Sequence, residues 1–154
     1  MTIIFMGQKR DDDKKGVFID TAGWIALIHQ GDVLHQQATK IYKSLGKIQR
    51  VTTDAVIIET CNAFSKAPTK LLAVAFLEKI KLAHQLGILE IAQLNEGLLK
   101  DGLQLFKSRK DEDWSLTDCI SFVVMRKNSI KKVLTSDHHF IQAGFEKLLD
   151  IERV

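Results

Sequence analysis

The sequence predicts an α/β fold, a three-layer α/β/α sandwich with a mostly parallel central sheet. Three observations predict it. Val17-Phe18-Ile19 is an apolar run without alternation that ends on Asp20. Such a run reads as a strand buried on both faces, which calls for a parallel sheet covered by helices. Further short strand-like segments follow at Arg50–Thr53, Ile88–Ile91 and Ile130–Thr135, and helical patterns separate them, as right-handed βαβ crossovers require. No repeat, low-complexity stretch or linker interrupts the chain from Val17 to Leu149. One domain is therefore expected over residues 16–154, large enough to bury a proper core.

Taken in order, the first strand runs into a helix at Ala22–His29, so Asp20 lies where strand gives way to helix. Gly31-Asp32 marks a turn. A helix is expected over 33–49, with Lys40, Lys43 and Lys47 outward and Ala38, Ile41 and Leu45 inward. The second strand, Arg50–Thr53, leads to a helix over Ala55–Lys66 capped by Thr53 or Asp54. Glu59 lies in that helix among residues that want burial, from Val56 to Phe64. A glutamate is rarely buried unless paired or bound, and helical spacing alone equally allows Glu59 an outward place beside Asn62 and Lys66. Pro68, the one proline, separates this helix from the next at Thr69–Leu86. That helix is apolar nearly all round from Leu71 to Leu77, which suits a central core helix or a face that meets another chain.

Gly87 stops the helix, the third strand is Ile88–Ile91, and Asn95 caps a helix to about Lys107. Gly97 and Gly102 weaken it by roughly 1 kcal/mol each against alanine. Ser115 and Asp118 have capping-box spacing ahead of an apolar helix at Cys119–Lys127. The fourth strand, Ile130–Thr135, ends at Ser136-Asp137, so Asp137 repeats the placement of Asp20. His138-His139-Phe140 opens a short helix, Gly144 ends it, and Phe145–Leu149 reads as a last edge strand.

Residues 1–15 stand apart. An apolar opening, Ile3 to Met6, gives way to Arg10-Asp11-Asp12-Asp13-Lys14-Lys15. The charged run reads as a solvated arm, and the opening residues suit an edge strand, a disordered tail or an upstream start-codon artefact equally. The adjacent acids Asp11 to Asp13 read as solvated too, because they would have to be ordered before they could chelate. The formal charge of +3 leans basic, compatible with a polyanionic partner without requiring one. Cys61 and Cys119 lack metal-ligand or disulfide spacing and read as buried thiols of a reducing, cytoplasmic compartment. No apolar run approaches membrane-spanning length and no signal peptide is legible.

Chemistry concentrates in four acids that the pattern can bring together: Asp20 and Asp137 past strand ends, Asp118 at a helix start and Glu59 inside a helix. Ligands of open α/β sheets bind outside the carboxyl ends of the strands. A capping role for Asp118 is the competing local reading. The chain has no glycine-rich phosphate loop and no nucleophile elbow. Crowded carboxylates repel one another, and a hard divalent cation is the usual compensation; all-oxygen ligands suit Mg²⁺ or Mn²⁺. Such a site serves phosphodiester hydrolysis.

The stretches Val17-Phe18-Ile19-Asp20-Thr21-Ala22, Glu59 in its apolar helix, Trp114-Ser115-Leu116-Thr117-Asp118-Cys119 and Leu134-Thr135-Ser136-Asp137-His138-His139-Phe140 with Ala143-Gly144-Phe145, in this order, resemble a PIN domain. The resemblance runs from about Val17 to Leu149, and in size the chain is similar to the single-domain VapC-type toxins. It implies an endoribonuclease that depends on Mg²⁺ or Mn²⁺, with Asp20, Glu59, Asp118 and Asp137 as the catalytic, metal-binding set. Thr135 or Ser136 would help hold a water or a neighbouring acid. It also implies an RNA substrate, a cognate antitoxin and a homodimer; the lack of a spanning apolar run already argues against a membrane partner. His138 and His139 receive no catalytic role from it, and Trp114 reads as core rather than as a base-stacking platform. In such toxins the first acid lies near the chain start, whereas here about fifteen residues precede Asp20. The alternative is a PIN-like RNA- or protein-binding module without turnover, against which all four acids are intact. A receiver-like phospho-acceptor domain would want its acids paired after the first strand, and Glu59 and Asp118 fit that poorly.

Overall fold

In a computed structural model of the chain the structure describes residues 15–151. Apart from Lys15, the N-terminal arm and its Asp11 to Asp13 run lie outside the described residues. Five strands and seven helices follow one another: β1 (Val17–Ile19), α1 (Thr21–Ile28), α2 (His35–Ser44), β2 (Arg50–Thr53), α3 (Asp54–Ala63), α4 (Ala67–Gln85), β3 (Leu89–Ala92), α5 (Glu96–Ser108), α6 (Leu116–Lys127), β4 (Lys132–Leu134), α7 (His139–Gln142) and β5 (Glu146–Lys147). The expected α/β/α sandwich is present, and every strand pairing in the described residues is parallel.

The strand order is β3-β2-β1-β4-β5. The apolar run of β1 is central, and all three of its residues are buried, as its lack of alternation requires. From β1 the chain steps outward to β2 and β3, then returns across the sheet to β4 on the other side of β1. The topological switch point therefore falls between β1 and β4, where open α/β sheets carry their sites.

Gly23 sets how closely α1 can leave β1. A Cβ there would collide with the Leu134 carbonyl oxygen, a backbone atom that cannot rotate away. Gly23→Ala is expected to cost about 3 kcal/mol, or roughly 6–12 °C in Tm by calorimetry. An unchanged Tm would show that α1 can shift outward freely. Gly102 does similar work where α5 packs on α6: a Cβ would stand 2.7 Å from Ile120 Cγ1. The loss of helix propensity at this glycine is thus offset by close helix packing.

Some expected elements differ in extent. α2 stops at Ser44 instead of running to residue 49, because Gly46 adopts φ +57° and turns the chain. It also starts later, since the Asp32 carboxylate accepts the Leu34 amide in a turn. Pro68 does not separate two helices but sits in the first turn of α4, where its missing N–H costs nothing. The expectation of a central core helix at Leu71–Leu77 is corrected. Only Ala73, Phe76 and Ile80 of α4 are buried, whereas Leu71 is 80% exposed and Val74 and Leu77 are also open to solvent. Cys119 is a buried free thiol, but Cys61 is only half-buried. Trp114 packs edge-to-face on Phe122 at 5.0 Å, as a core residue. No helix of the described residues is long and apolar enough to cross a membrane.

Candidate active site

The parallel register brings the ends of β1 and β4 level, Ile19 opposite Leu134. The next residues, Asp20 and Thr135, therefore lie side by side. The Asp20 backbone N–H reaches the Leu134 carbonyl at 3.3 Å, and the Thr135 hydroxyl donates to Asp20 Oδ2 at 3.0 Å. The same hydroxyl accepts the Asp137 amide at 3.1 Å, so one threonine ties both strand-end acids together. Of the two hydroxyls suggested by the resemblance, Thr135 is the one whose oxygen reaches an acid.

Asp20 stands at the N-cap of α1, yet its side chain makes no cap bond. It is 3% exposed, and Oδ1 has no hydrogen-bond partner. Burial pushes its pKa up from 3.8 to about 7, and the charges of Asp118 and Glu59 push the same way. The Thr21 amide and the Thr135 hydroxyl draw it partly back. An unpaired buried carboxylate is costly unless something neutralises it.

Glu59 is half-buried and turns toward this place. Thr21, the first residue of α1, donates its hydroxyl to Glu59 Oε1 at 2.5 Å. Thr53 caps α3 by accepting the Val56 amide at 3.0 Å, which fixes the helix that carries Glu59. The capping-box reading of Asp118 holds: Ser115 Oγ accepts the Asp118 amide at 3.0 Å, and Asp118 Oδ2 accepts the Ser115 amide at 3.1 Å. Capping does not exhaust the residue, however. Burial, first of all, and the Asp137 charge raise the Asp118 pKa, against the Ser115 amide and His139.

Asp137 accepts the His139 backbone amide at 2.9 Å. The His139 ring then lies between two acids, with Nδ1 3.1 Å from Asp118 Oδ2 and 3.3 Å from Asp137 Oδ1. The four acids named from the sequence thus form one connected constellation at the switch point, joined by Thr21, Thr135 and His139. The resemblance pointed to Thr135, whereas Thr21 and His139 were not legible as connectors. Thr21 and Glu59 are 38 residues apart, and the hydroxyl gives no periodic signal. His139 was read as a helix-start residue, which it is, but its ring also meets two carboxylates. Asp113 is exposed and takes no part in these contacts.

The family profile described as "PIN domain" matches residues 17–146. The chain belongs to the PIN domain family. Among curated proteins, this PIN domain is 27% identical over 129 residues to the "23S rRNA-specific endonuclease VapC20" of Mycobacterium tuberculosis, covering 84% of this chain and 95% of the relative. The crystal structure of that protein, titled a "Sarcin-Ricin loop cleaving toxin", superposes with a TM-score of 0.74 at 26% identity, over 84% of this chain and 96% of the other. The structure of FitAcB from Neisseria gonorrhoeae shares the fold with a TM-score of 0.65 at 12% identity, over 86% and 96% of the two chains.

Nucleases of the PIN domain family typically use a divalent metal, and the residues present fit one. Asp20 Oδ1 is a buried anionic oxygen without a partner, and the donors around it are hard carboxylate oxygens. Asp137, His138 and His139 also place three ligand atoms within 4.8 Å of one another.

Proposed function

We propose that this PIN domain is a Mg²⁺- or Mn²⁺-dependent endoribonuclease that acts as the toxin of a toxin–antitoxin pair. The observation that carries the reading is the buried Asp20 carboxylate, unpartnered at Oδ1, within a constellation completed by Glu59, Asp118 and Asp137. Those four acids would hold the cation. A cation held there would supply a water of lowered pKa and would offset charge on the scissile phosphate. The chain's own part is positioning. Thr135 holds the Asp20 and Asp137 loops level, Thr21 turns Glu59 toward Asp20, and the Ser115 cap aims Asp118 off the helix start. No side-chain nucleophile is needed, because water attacks the phosphorus and the ribose oxygen leaves.

The resemblance to VapC20 makes 23S ribosomal RNA the first substrate to try. A cognate antitoxin and a second copy of the chain are the partners this reading carries, and the exposed Leu71, Val74 and Leu77 of α4 offer them an apolar face. Purified protein incubated with ribosomes and with total RNA is expected to yield discrete fragments in Mg²⁺ or Mn²⁺ and none in EDTA. Mapping fragment ends by primer extension identifies the cut. Fragments that persist in EDTA would overturn the metal dependence. Intact RNA under all conditions, with no cation bound in calorimetry, would favour a binding module instead.

A further inference from the structure

We propose that His139 supplies an imidazole nitrogen to the divalent-cation site, which makes that site select Mn²⁺ over Mg²⁺. The inference rests on the metal-dependent reading above and adds a ligand to it. Adjacent ligand atoms of an octahedral ion with bonds near 2.1 Å stand about 3.0 Å apart. His139 Nδ1 lies 3.1 Å from Asp118 Oδ2 and 3.3 Å from Asp137 Oδ1, each pair near the length of one edge of such a polyhedron, and a cation there would replace the proton that Nδ1 and Asp118 Oδ2 share, which leaves to solvent. The ring is held there. Its backbone amide is bound to Asp137 Oδ1 at 2.9 Å, and only 20% of the side chain is exposed. Two carboxylates converging on one imidazole nitrogen make a mixed oxygen–nitrogen set, and imidazole favours transition-metal ions over Mg²⁺. His138 is placed differently. Its side chain is 71% exposed, and its Nδ1 is 3.9 Å from Asp137 Oδ1.

The test is pulsed electron paramagnetic resonance of the full chain loaded with Mn²⁺, which detects a directly bound imidazole ¹⁴N, together with calorimetric titration by Mn²⁺ and Mg²⁺ alone. His139→Asn keeps a donor near the ring position but has no imidazole, and circular dichroism checks that it folds. The expected result is a ¹⁴N coupling in the wild type that is absent from His139→Asn and kept in His138→Ala. Mn²⁺ affinity should fall roughly 10- to 100-fold in His139→Asn, with Mg²⁺ affinity changed less than about threefold. Bound Mn²⁺ without nitrogen coupling would overturn the inference and reduce His139 to a hydrogen-bond donor, while the nuclease reading stands. A coupling lost in His138→Ala instead would overturn the assignment to His139. Failure of Mn²⁺ to bind at all would overturn both the inference and the metal-dependent function.

Discussion

Asp20→Asn is expected to abolish RNA cleavage, by about a thousandfold, and at the same time to stabilise the metal-free protein. The two effects share one cause. Burial, with the neighbouring charges of Asp118 and Glu59, lifts the Asp20 pKa from 3.8 to about 7. An acid whose pKa is higher in the folded chain binds more protons folded than unfolded, so stability is greatest at low pH and falls as pH rises between the two values. The window is therefore about pH 4 to pH 7, and the cost above it is on the order of 4 kcal/mol. Asp118, also raised, adds to the same slope. Asparagine keeps the shape, and its carbonyl can still accept the Thr135 hydroxyl, but it carries no charge. Without divalent ions at pH 8 the variant should melt roughly 10 °C above the wild type, and at pH 4 the two should converge. Thermal melts with EDTA at pH 4, 6 and 8 make the comparison. A variant that melts lower than the wild type at pH 8 would show that the Asp20 charge is needed by the fold itself.

The acids at strand ends were legible because buried strands announce themselves. Val17-Phe18-Ile19 and the run to Leu134 stop abruptly at polar residues, and parallel topology then sets their ends side by side. Asp118 was legible from the three-residue spacing of its capping box. Glu59 was half legible. Its neighbours argued burial, but helical periodicity could not choose its face, and Thr21 on another helix settles it. Arg50 shows where local reading stops. Its place at the start of β2 is legible, yet it is buried, and its guanidinium donates to the carbonyls of Tyr42 in α2 and of Gly46 and Ile48 in the turn that follows. An arginine that closes a helix end from the next strand leaves no periodic trace, because the contact is set by the turn between them. α4 misled for the opposite reason. Its apolar content predicted burial, but packing consumed only the stripe of Ala73, Phe76 and Ile80. Hydrophobicity states what a helix can bury, and the number of neighbouring elements decides how much it does.

Asp118 separates a structural from a functional role most sharply, because it holds both at once. As the third residue of α6 it completes the capping box, and its Oδ2 accepts the Ser115 amide and lies 3.1 Å from His139 Nδ1. If capping were its whole purpose, asparagine would serve nearly as well, since its carbonyl accepts the same amide. Alanine would cost about 1 kcal/mol, or roughly 2–4 °C. If it holds a cation, the carboxylate charge is what counts, and both substitutions are equally damaging to cleavage. The expected pattern is a Tm for Asp118→Asn no lower than about 2 °C below the wild type and a Tm for Asp118→Ala lower than that of Asp118→Asn, with cleavage reduced about a thousandfold in both. The ranking of stabilities and the ranking of activities thus differ, and only a residue with two jobs produces that difference. Retained cleavage in Asp118→Asn would leave Asp118 as a cap and remove it from the metal-binding set.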